Sequence, residues 1–192
     1  MRKPTAIPGI SDDGRLRVYV AGAAYNVTAL KAVADYIDTE LNGDVQLLTH
    51  WMSNPNQDWR VTFCEDISRV LYSDMLVAIH PYGEHGGTIT EMAVAMSHGI
   101  PVIYVAYFDE LDLSELPYPA AALTPMCLSE ETTWDYVLNE VEEARKYVAT
   151  SLSTAAYDGR SEAECIPVGV ICRSVRDAIM CVKAYCDYRK RH

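Results

Sequence analysis

The segment that most constrains the fold runs from residue 73 to residue 107 and joins two apolar stretches through a glycine-rich loop. The stretches at 75–80 and 101–107 show no polar–apolar alternation, which is typical of parallel strands covered on both faces. Between them a helix is predicted from about residue 88 to residue 98. This order predicts a right-handed crossover whose loop lies at the carboxyl end of a strand, where open α/β sheets bind ligands.

One acidic residue interrupts the apolar sequence of this predicted helix: Glu91, three residues after Thr88. The spacing permits a capping box, in which Thr88 caps the helix and Glu91 reaches back to the N–H of the cap. It equally permits a nucleophile or base near a helix N-terminus, where the helix dipole favours the ionised carboxylate. Gly86 and Gly87 favour the second interpretation, because residues without side chains allow a close backbone approach to a ligand.

The rest of the chain is predicted to alternate strands and helices in the same way. The elements predicted outside the central segment are strands at 17–22, 45–49 and 125–128 and helices at about 28–41, 58–72, 133–150 and 174–188. A short apolar run at 166–172 precedes the last helix. We therefore predict an α/β fold, a doubly wound parallel five-stranded sheet of the flavodoxin or Rossmann type with helices on both faces and an extra C-terminal helix. Residues 1–14 are predicted as a flexible arm, 15–152 as the α/β domain, and 153–192 as a linker with a C-terminal helical extension.

Composition narrows the classes of partner. The chain of 192 residues is 49% hydrophobic, enough for one domain with a sizeable core. Its formal net charge of −11 argues against binding nucleic acid or an anionic membrane, which requires a basic face, and favours a small-molecule partner. No apolar stretch of about 20 residues could span a membrane. The N-terminus also lacks the apolar run of a signal peptide, so we expect a cytoplasmic protein.

Six cysteines are present without a C-x-x-C pair. Four of them lie between residues 165 and 186, but their spacing fits no common zinc pattern. We expect reduced, mostly buried thiols, no metal site and no cofactor.

Three acidic residues are predicted to meet near strand ends: Asp66, Asp74 and Glu91. Asp74 immediately precedes the strand at 75–80, and Asp66 lies eight residues earlier on the preceding helix. The alternative for Asp66 and Asp74 is a solvated helix face and a turn. Tyr19 lies inside the first predicted strand, and its hydroxyl needs a partner if it is buried, which a nearby acid could supply.

Several known phosphate-binding and catalytic motifs are missing. The chain has no G-x-x-x-x-G-K-[ST], no G-x-G-x-x-G after its first strand and no G-x-S-x-G elbow. These absences argue against a P-loop NTPase, a classical dinucleotide-binding protein and an α/β-hydrolase.

Three motifs in order resemble the nucleoside 2-deoxyribosyltransferase superfamily. They are VYVAG at 18–22, D-x₇-D at 66–74 and G-T-x₂-E-x₃-A-x₃-G-x-P-V at 87–102. The resemblance covers about residues 16–107, a little over half of the chain. Members of this superfamily transfer 2-deoxyribose between bases or hydrolyse the N-glycosidic bond of nucleoside monophosphates.

The resemblance implies a role for each matching residue. Glu91 would be the nucleophile that attacks the anomeric carbon, and the Tyr19 hydroxyl would hold its carboxylate. Asp66 would contact and protonate the departing base, and Gly22 would let the substrate approach the first strand. Substrate binding is further expected of Asp74, His85, Gly86, Gly87 and Thr88. Many members carry an acid or serine near His85, so here either Glu84 substitutes or His85 binds another group such as a phosphate.

Other functions stay open at this stage. A base acceptor would give a new nucleoside with retained configuration, whereas water would give the free sugar. The spacing G-x-x-G-G-T-x-x-E also resembles phosphoribohydrolases acting on nucleoside 5′-monophosphates, although the arginine that those proteins carry on the following helix is missing here. A third possibility is a non-catalytic protein that binds or sequesters nucleotides. The apolar helices predicted at 133–150 and 174–188 exceed what a five-stranded sheet needs, so we expect a homo-oligomer.

Overall fold

The computed structural model describes residues 13–22, 27–41, 43–49, 56–79, 86–106, 124–125, 135, 139 and 169–191. Strands and helices alternate along this part of the chain. In order they are β1 (Leu16–Ala21), α1 (Val27–Glu40), β2 (Val45–Thr49), α2 (Trp59–Tyr72), β3 (Met75–Ile79), α3 (Gly86–Ser97), β4 (Val102–Val105), β5 (Thr124–Pro125), β6 (Gly169–Cys172) and α4 (Val175–Arg191). None of these helices is both long and apolar enough to cross a membrane.

The described strands form one parallel sheet in the order β2-β1-β3-β4-β6, and the two-residue β5 pairs with the outer edge of β6. The predicted doubly wound, five-stranded α/β fold is therefore confirmed. The chain winds outward in opposite directions from β1 and β3, so the sheet reverses between these two strands. Open α/β sheets form a ligand crevice beyond the carboxyl ends of the strands at such a reversal.

Helices cover both faces of the sheet and divide the core in two. In the first half of the core, α1 and α4 pack against alternate strand residues such as Val18 and Val20. In the second half, α2 and α3 pack against the strand residues in between, such as Tyr19 and Ala21. Because successive side chains of a strand point to opposite faces, every residue of β3 is buried, which explains its unbroken apolar sequence.

The C-terminal part of the chain completes this core. The apolar run predicted at 166–172 forms β6, which pairs with β4 in parallel register from Val102–Gly169 to Val105–Cys172. Helix α4 follows and packs Ala178, Ile179 and Val182 into the first half of the core. The strand predicted at 125–128 is represented by β5, which begins one residue earlier. The predicted domain boundary at residue 152 and most of the helix predicted at 133–150 lie outside the described residues.

Candidate functional site

A buried hydrogen bond joins the first strand to the third helix. The Tyr19 hydroxyl donates to Oε1 of Glu91 at 2.6 Å. Tyr19 is on the face of β1 that α2 and α3 cover, and it is fully buried, while Glu91 is 9% exposed. The contact that the family resemblance implied is therefore present, and it links two residues far apart in sequence.

The capping-box interpretation of Glu91 is wrong. Helix α3 begins at Gly86, two residues earlier than predicted, so Thr88 lies inside its first turn and cannot be the cap. The Thr90 hydroxyl donates back to the carbonyl of Gly86 at 2.6 Å, which shows that the turn at Gly86 is already helical. The two glycines obscured this start in the sequence, because glycine is unfavourable inside helices.

The environment of Glu91 strongly favours its protonated form. Burial is the main cause, and together with the nearby negative charge of Asp66 it raises the pKa of Glu91 to about 8, against the lowering effect of the Tyr19 hydrogen bond. Relative to the ordinary pKa of 4.5, ionisation of this carboxyl group costs about 5 kcal/mol more than in water. A buried carboxyl group whose pKa is raised this far is a candidate functional group.

Tyr19 remains a hydrogen-bond donor across the ordinary pH range. Its pKa is raised well above the usual value, first by burial and then by the charges of Glu91 and Asp66. The neutral phenol therefore keeps its proton directed at Glu91.

Asp66 is the second acid of the site and lies on α2. Burial raises its pKa, and an ion pair with Arg69 opposes that rise. Arg69 donates from Nη1 to Oδ1 of Asp66 at 2.8 Å and from Nη2 to Oε2 of Glu65 at 3.2 Å. Gln57 donates to the same oxygen of Glu65 at 2.9 Å. Glu65, Gln57 and Arg69 were not among the predicted site residues, although spacings of three and four along a helix are a signal for such pairs.

Asp74 does not meet the other two acids, and the prediction that all three share one edge of the sheet is wrong. It precedes β3 and therefore lies at the amino end of that strand, whereas α3 begins beyond the carboxyl end. Its carboxylate accepts from Nε and Nη2 of Arg17, both at 3.0 Å, and pairs with Arg189 at 3.3 Å. Asp74 thus connects β3 to β1 and α4, and its predicted contact with the substrate stays a prediction.

Gly22 is needed for the packing of α1. A Cβ atom at this position would lie 2.3 Å from Cδ2 of Leu30, a buried residue of that helix. Close approach of helix and strand therefore explains this glycine without a ligand, and its role in substrate approach stays a prediction.

The predicted loop residues are described in part. Gly86 and Gly87 are exposed at the start of α3, and a Cβ atom on either would meet nothing within 4 Å. Thr88 is buried at 3% exposure. His85, like the histidine at position 80, lies outside the described residues.

The described cysteines are thiols rather than disulfides. Cys172, Cys181 and Cys186 are buried, and the sulfur atoms of Cys172 and Cys181 lie 3.9 Å apart, while Cys64 is exposed. Among the described residues, no group of three or more His, Cys, Asp or Glu side chains is arranged to hold a metal ion.

The fold and the site together define the class of this protein: an α/β fold with a parallel five-stranded sheet and a buried tyrosine–glutamate pair near its reversal point. No protein-family model matches the chain, and no curated protein or solved structure matches it either.

Proposed function

We propose that this protein cleaves the N-glycosidic bond of nucleosides or nucleotides through a covalent glycosyl intermediate on Glu91, as a transferase or a hydrolase. The observation that carries the proposal is the 2.6 Å hydrogen bond from Tyr19 to a buried Glu91. A carboxyl group held in this way is suited to attack a single carbon atom, because one of its two oxygens is fixed and the other is left for the reaction.

The first step makes one bond and breaks one. The second oxygen of ionised Glu91 forms a C–O bond with the anomeric carbon while the C–N bond to the base breaks. The electron pair of that bond leaves with the base, and Asp66 donates the proton that neutralises it. The low-polarity surroundings of Glu91 strengthen its attraction for the positive charge that develops on the sugar.

The second step reverses the roles of the acids. An acceptor base, or water, attacks the anomeric carbon and displaces Glu91, and Asp66 takes up the proton that the acceptor loses. The configuration at the anomeric carbon is retained, because each of the two steps inverts it.

One proton shared by the two acids satisfies this mechanism. At neutral pH Glu91, with a pKa of about 8, holds a proton in most molecules, whereas the mechanism requires Glu91 ionised and Asp66 protonated. The negative charge of Asp66 contributes to the raised pKa of Glu91, so the protonation of one acid affects the other. Transfer of the proton from Glu91 to Asp66 on substrate binding supplies both required states, and the charge developing on the sugar favours that transfer.

The charges of the described site favour an uncharged nucleoside over a nucleoside 5′-monophosphate. Glu65 and Asp66 both pair with the one cation Arg69, and the charge of Asp66 also acts on Glu91. A phosphate near these groups would meet net negative charge. We therefore expect nucleosides to react with the higher kcat/KM.

The test is incubation with a panel of nucleosides and 5′-monophosphates, with and without a free acceptor base, followed by chromatography. The wild-type protein is expected to release or exchange the base. Glu91→Gln, which keeps the size of the side chain, is expected to lower kcat by at least about 100-fold because it removes the nucleophile.

The matched control is Glu40→Gln, which makes the same change on the exposed end of α1 and should leave turnover unaltered. Full activity of Glu91→Gln would refute the mechanism. Calorimetric binding of a nucleotide by the wild type without any base release would instead identify a non-catalytic binding protein.

A further inference from the structure

Arg69 is unusually constrained for a surface-helix arginine. Its side chain is only 9% exposed, and its two terminal nitrogens contact different carboxylates of the same helix, Asp66 and Glu65. Glu65 in turn accepts a hydrogen bond from Gln57, which lies two residues before the start of α2. The guanidinium therefore lies in a chain of contacts that ends at Asp66.

The position of Asp66 depends on this chain of contacts. Arg69 lies three residues after Asp66, nearly one turn along α2, so a helix that stays intact keeps the two groups in contact. The Asp66 side chain is 14% exposed, and a largely buried carboxylate without its cation would be strongly disfavoured. The structure thus couples the orientation of Asp66 to Arg69.

We propose that Arg69 is the positioning residue of the site, which holds the Asp66 carboxylate in the place and ionisation state from which it can exchange a proton with the substrate's base. The inference rests on the proposed function for the identity of that base, but not for the contact between Arg69 and Asp66.

Asp66 interacts electrostatically with groups on three elements. On α2 itself, Arg69 lowers the pKa of Asp66 and Glu65 raises it, and burial raises it most. Glu91 on α3 and Tyr19 on β1 are close enough for the charge of Asp66 to raise their pKa values. An acid that must first donate and then accept a proton works best when its pKa lies near the working pH. Arg69 opposes the rise in the pKa of Asp66 that burial causes.

The experiment is an NMR titration of the unliganded full chain labelled with ¹³C at the aspartate carboxyl carbons, with Asp66→Asn to assign the signal. In Arg69→Met the midpoint of Asp66 is expected to move up by about one pH unit or more, because an opposite charge is lost. Arg69→Lys, which keeps the charge, is expected to recover most of that shift. Glu65→Gln is expected to move the midpoint down, because it removes a like charge.

The matched control is Arg60→Met, on the same helix, where Arg60 forms an exposed pair with Asp58. It should leave the Asp66 midpoint in place. If Arg69→Met does not fold, the opposite shift in Glu65→Gln and the titration of Arg69→Lys still decide the question.

An Asp66 midpoint that does not respond to Arg69→Met, or that moves up in Glu65→Gln, would overturn the inference. In the turnover assay, the limb of the pH–rate profile that belongs to Asp66 is expected to follow the same shifts. A wild-type protein without turnover would defeat the proposed function while the titration still tested the role of Arg69.

Discussion

At the residue scale, the contact between Tyr19 and Glu91 combines two groups that are costly to bury. The phenol and the carboxyl group satisfy each other, and a charge-assisted bond of this kind is stronger than one between neutral groups when Glu91 is ionised. Burial nevertheless dominates, because the pKa of Glu91 is raised to about 8 in spite of that bond. Ionised Glu91 is therefore unfavourable in the resting site, and a cationic transition state would offset that cost.

The raised pKa of Glu91 makes stability depend on pH. Between the ordinary pKa of 4.5 and about 8, the folded protein binds a proton that the unfolded chain releases, so stability falls as pH rises through this window. Relative to Glu91→Gln, we expect the wild type to lose about 3 kcal/mol of unfolding free energy between pH 5 and pH 8. Urea denaturation of both proteins at several pH values measures the difference.

A second variant, Tyr19→Phe, tests the same effect of the Glu91 pKa on stability. The Tyr19 hydrogen bond lowers the pKa of Glu91, so its removal should extend the window of falling stability to higher pH. A wild type and a Glu91→Gln variant with parallel pH profiles would show that Glu91 ionises at its ordinary pKa.

The family resemblance of the sequence implied the pair of Tyr19 and Glu91 but not the surroundings that set its chemistry. An acid in an apolar helix and a tyrosine in an apolar strand are conspicuous, because each needs a partner when buried. Arg69 was not predicted as a site residue, because a lone arginine on a predicted helix is normally solvated. Asp74 was misplaced because its position before a strand was not distinguished from a position after one.

At the element scale, α2 carries Asp66 and Arg69, and its start is fixed by a cap. The Asp58 side chain accepts from the N–H of Arg60 at 2.8 Å. We expect Asp58→Ala to lower the unfolding free energy by about 1 kcal/mol, because a helix N–H loses its partner. Urea denaturation at neutral pH measures this loss.

Asp58→Asn separates the cap from the ion pair that Asp58 also forms with Arg60. Asparagine retains the capping oxygen but not the charge, and exposed pairs contribute little, so Asp58→Asn should stay close to the wild type. An asparagine variant as unstable as the alanine variant would indicate that the charge, rather than the cap, stabilises the helix.

Elements with continuous patterns were the ones that the sequence predicted best. The predicted bounds of β2 are those observed, and β3 begins at Met75 as predicted, because buried parallel strands leave short unbroken apolar runs. The place of β6 in the sheet was missed. Four apolar residues do not show which neighbour a strand pairs with, because that choice depends on packing between distant parts of the chain.

At the scale of the whole molecule, a charged cluster joins the amino edge of the sheet to α4. Asp74 contacts Arg17 on β1 and Arg189 near the end of α4, and the Arg17 guanidinium stacks over the ring of Tyr72 at 4.2 Å. The hydrogen bond to Asp74 is the main cause that raises the pKa of Arg17, so Arg17 stays charged across the ordinary pH range.

Loss of the Asp74 charge should destabilise the entire fold. We expect Asp74→Asn to cost about 3 kcal/mol of unfolding free energy, because it leaves a largely buried guanidinium without its counter-charge. Thermal and urea denaturation measure this cost. The matched control is Asp44→Asn, whose partner Lys190 is exposed, and it should cost less than about 1 kcal/mol. Equal costs for the two variants would contradict a structural role of Asp74.

The position of β6 has a consequence for biosynthesis. Residues 106–168 separate β6 from its neighbour β4 in the sequence. The pairing of β5 also requires β6 to be in place. A ribosome therefore releases β1 to β4 while the outer edge of β4 still presents unpaired N–H and C=O groups, and while the part of the sheet face that α4 covers is exposed. We expect the nascent protein to be prone to aggregation until residues 169–191 emerge and close that edge.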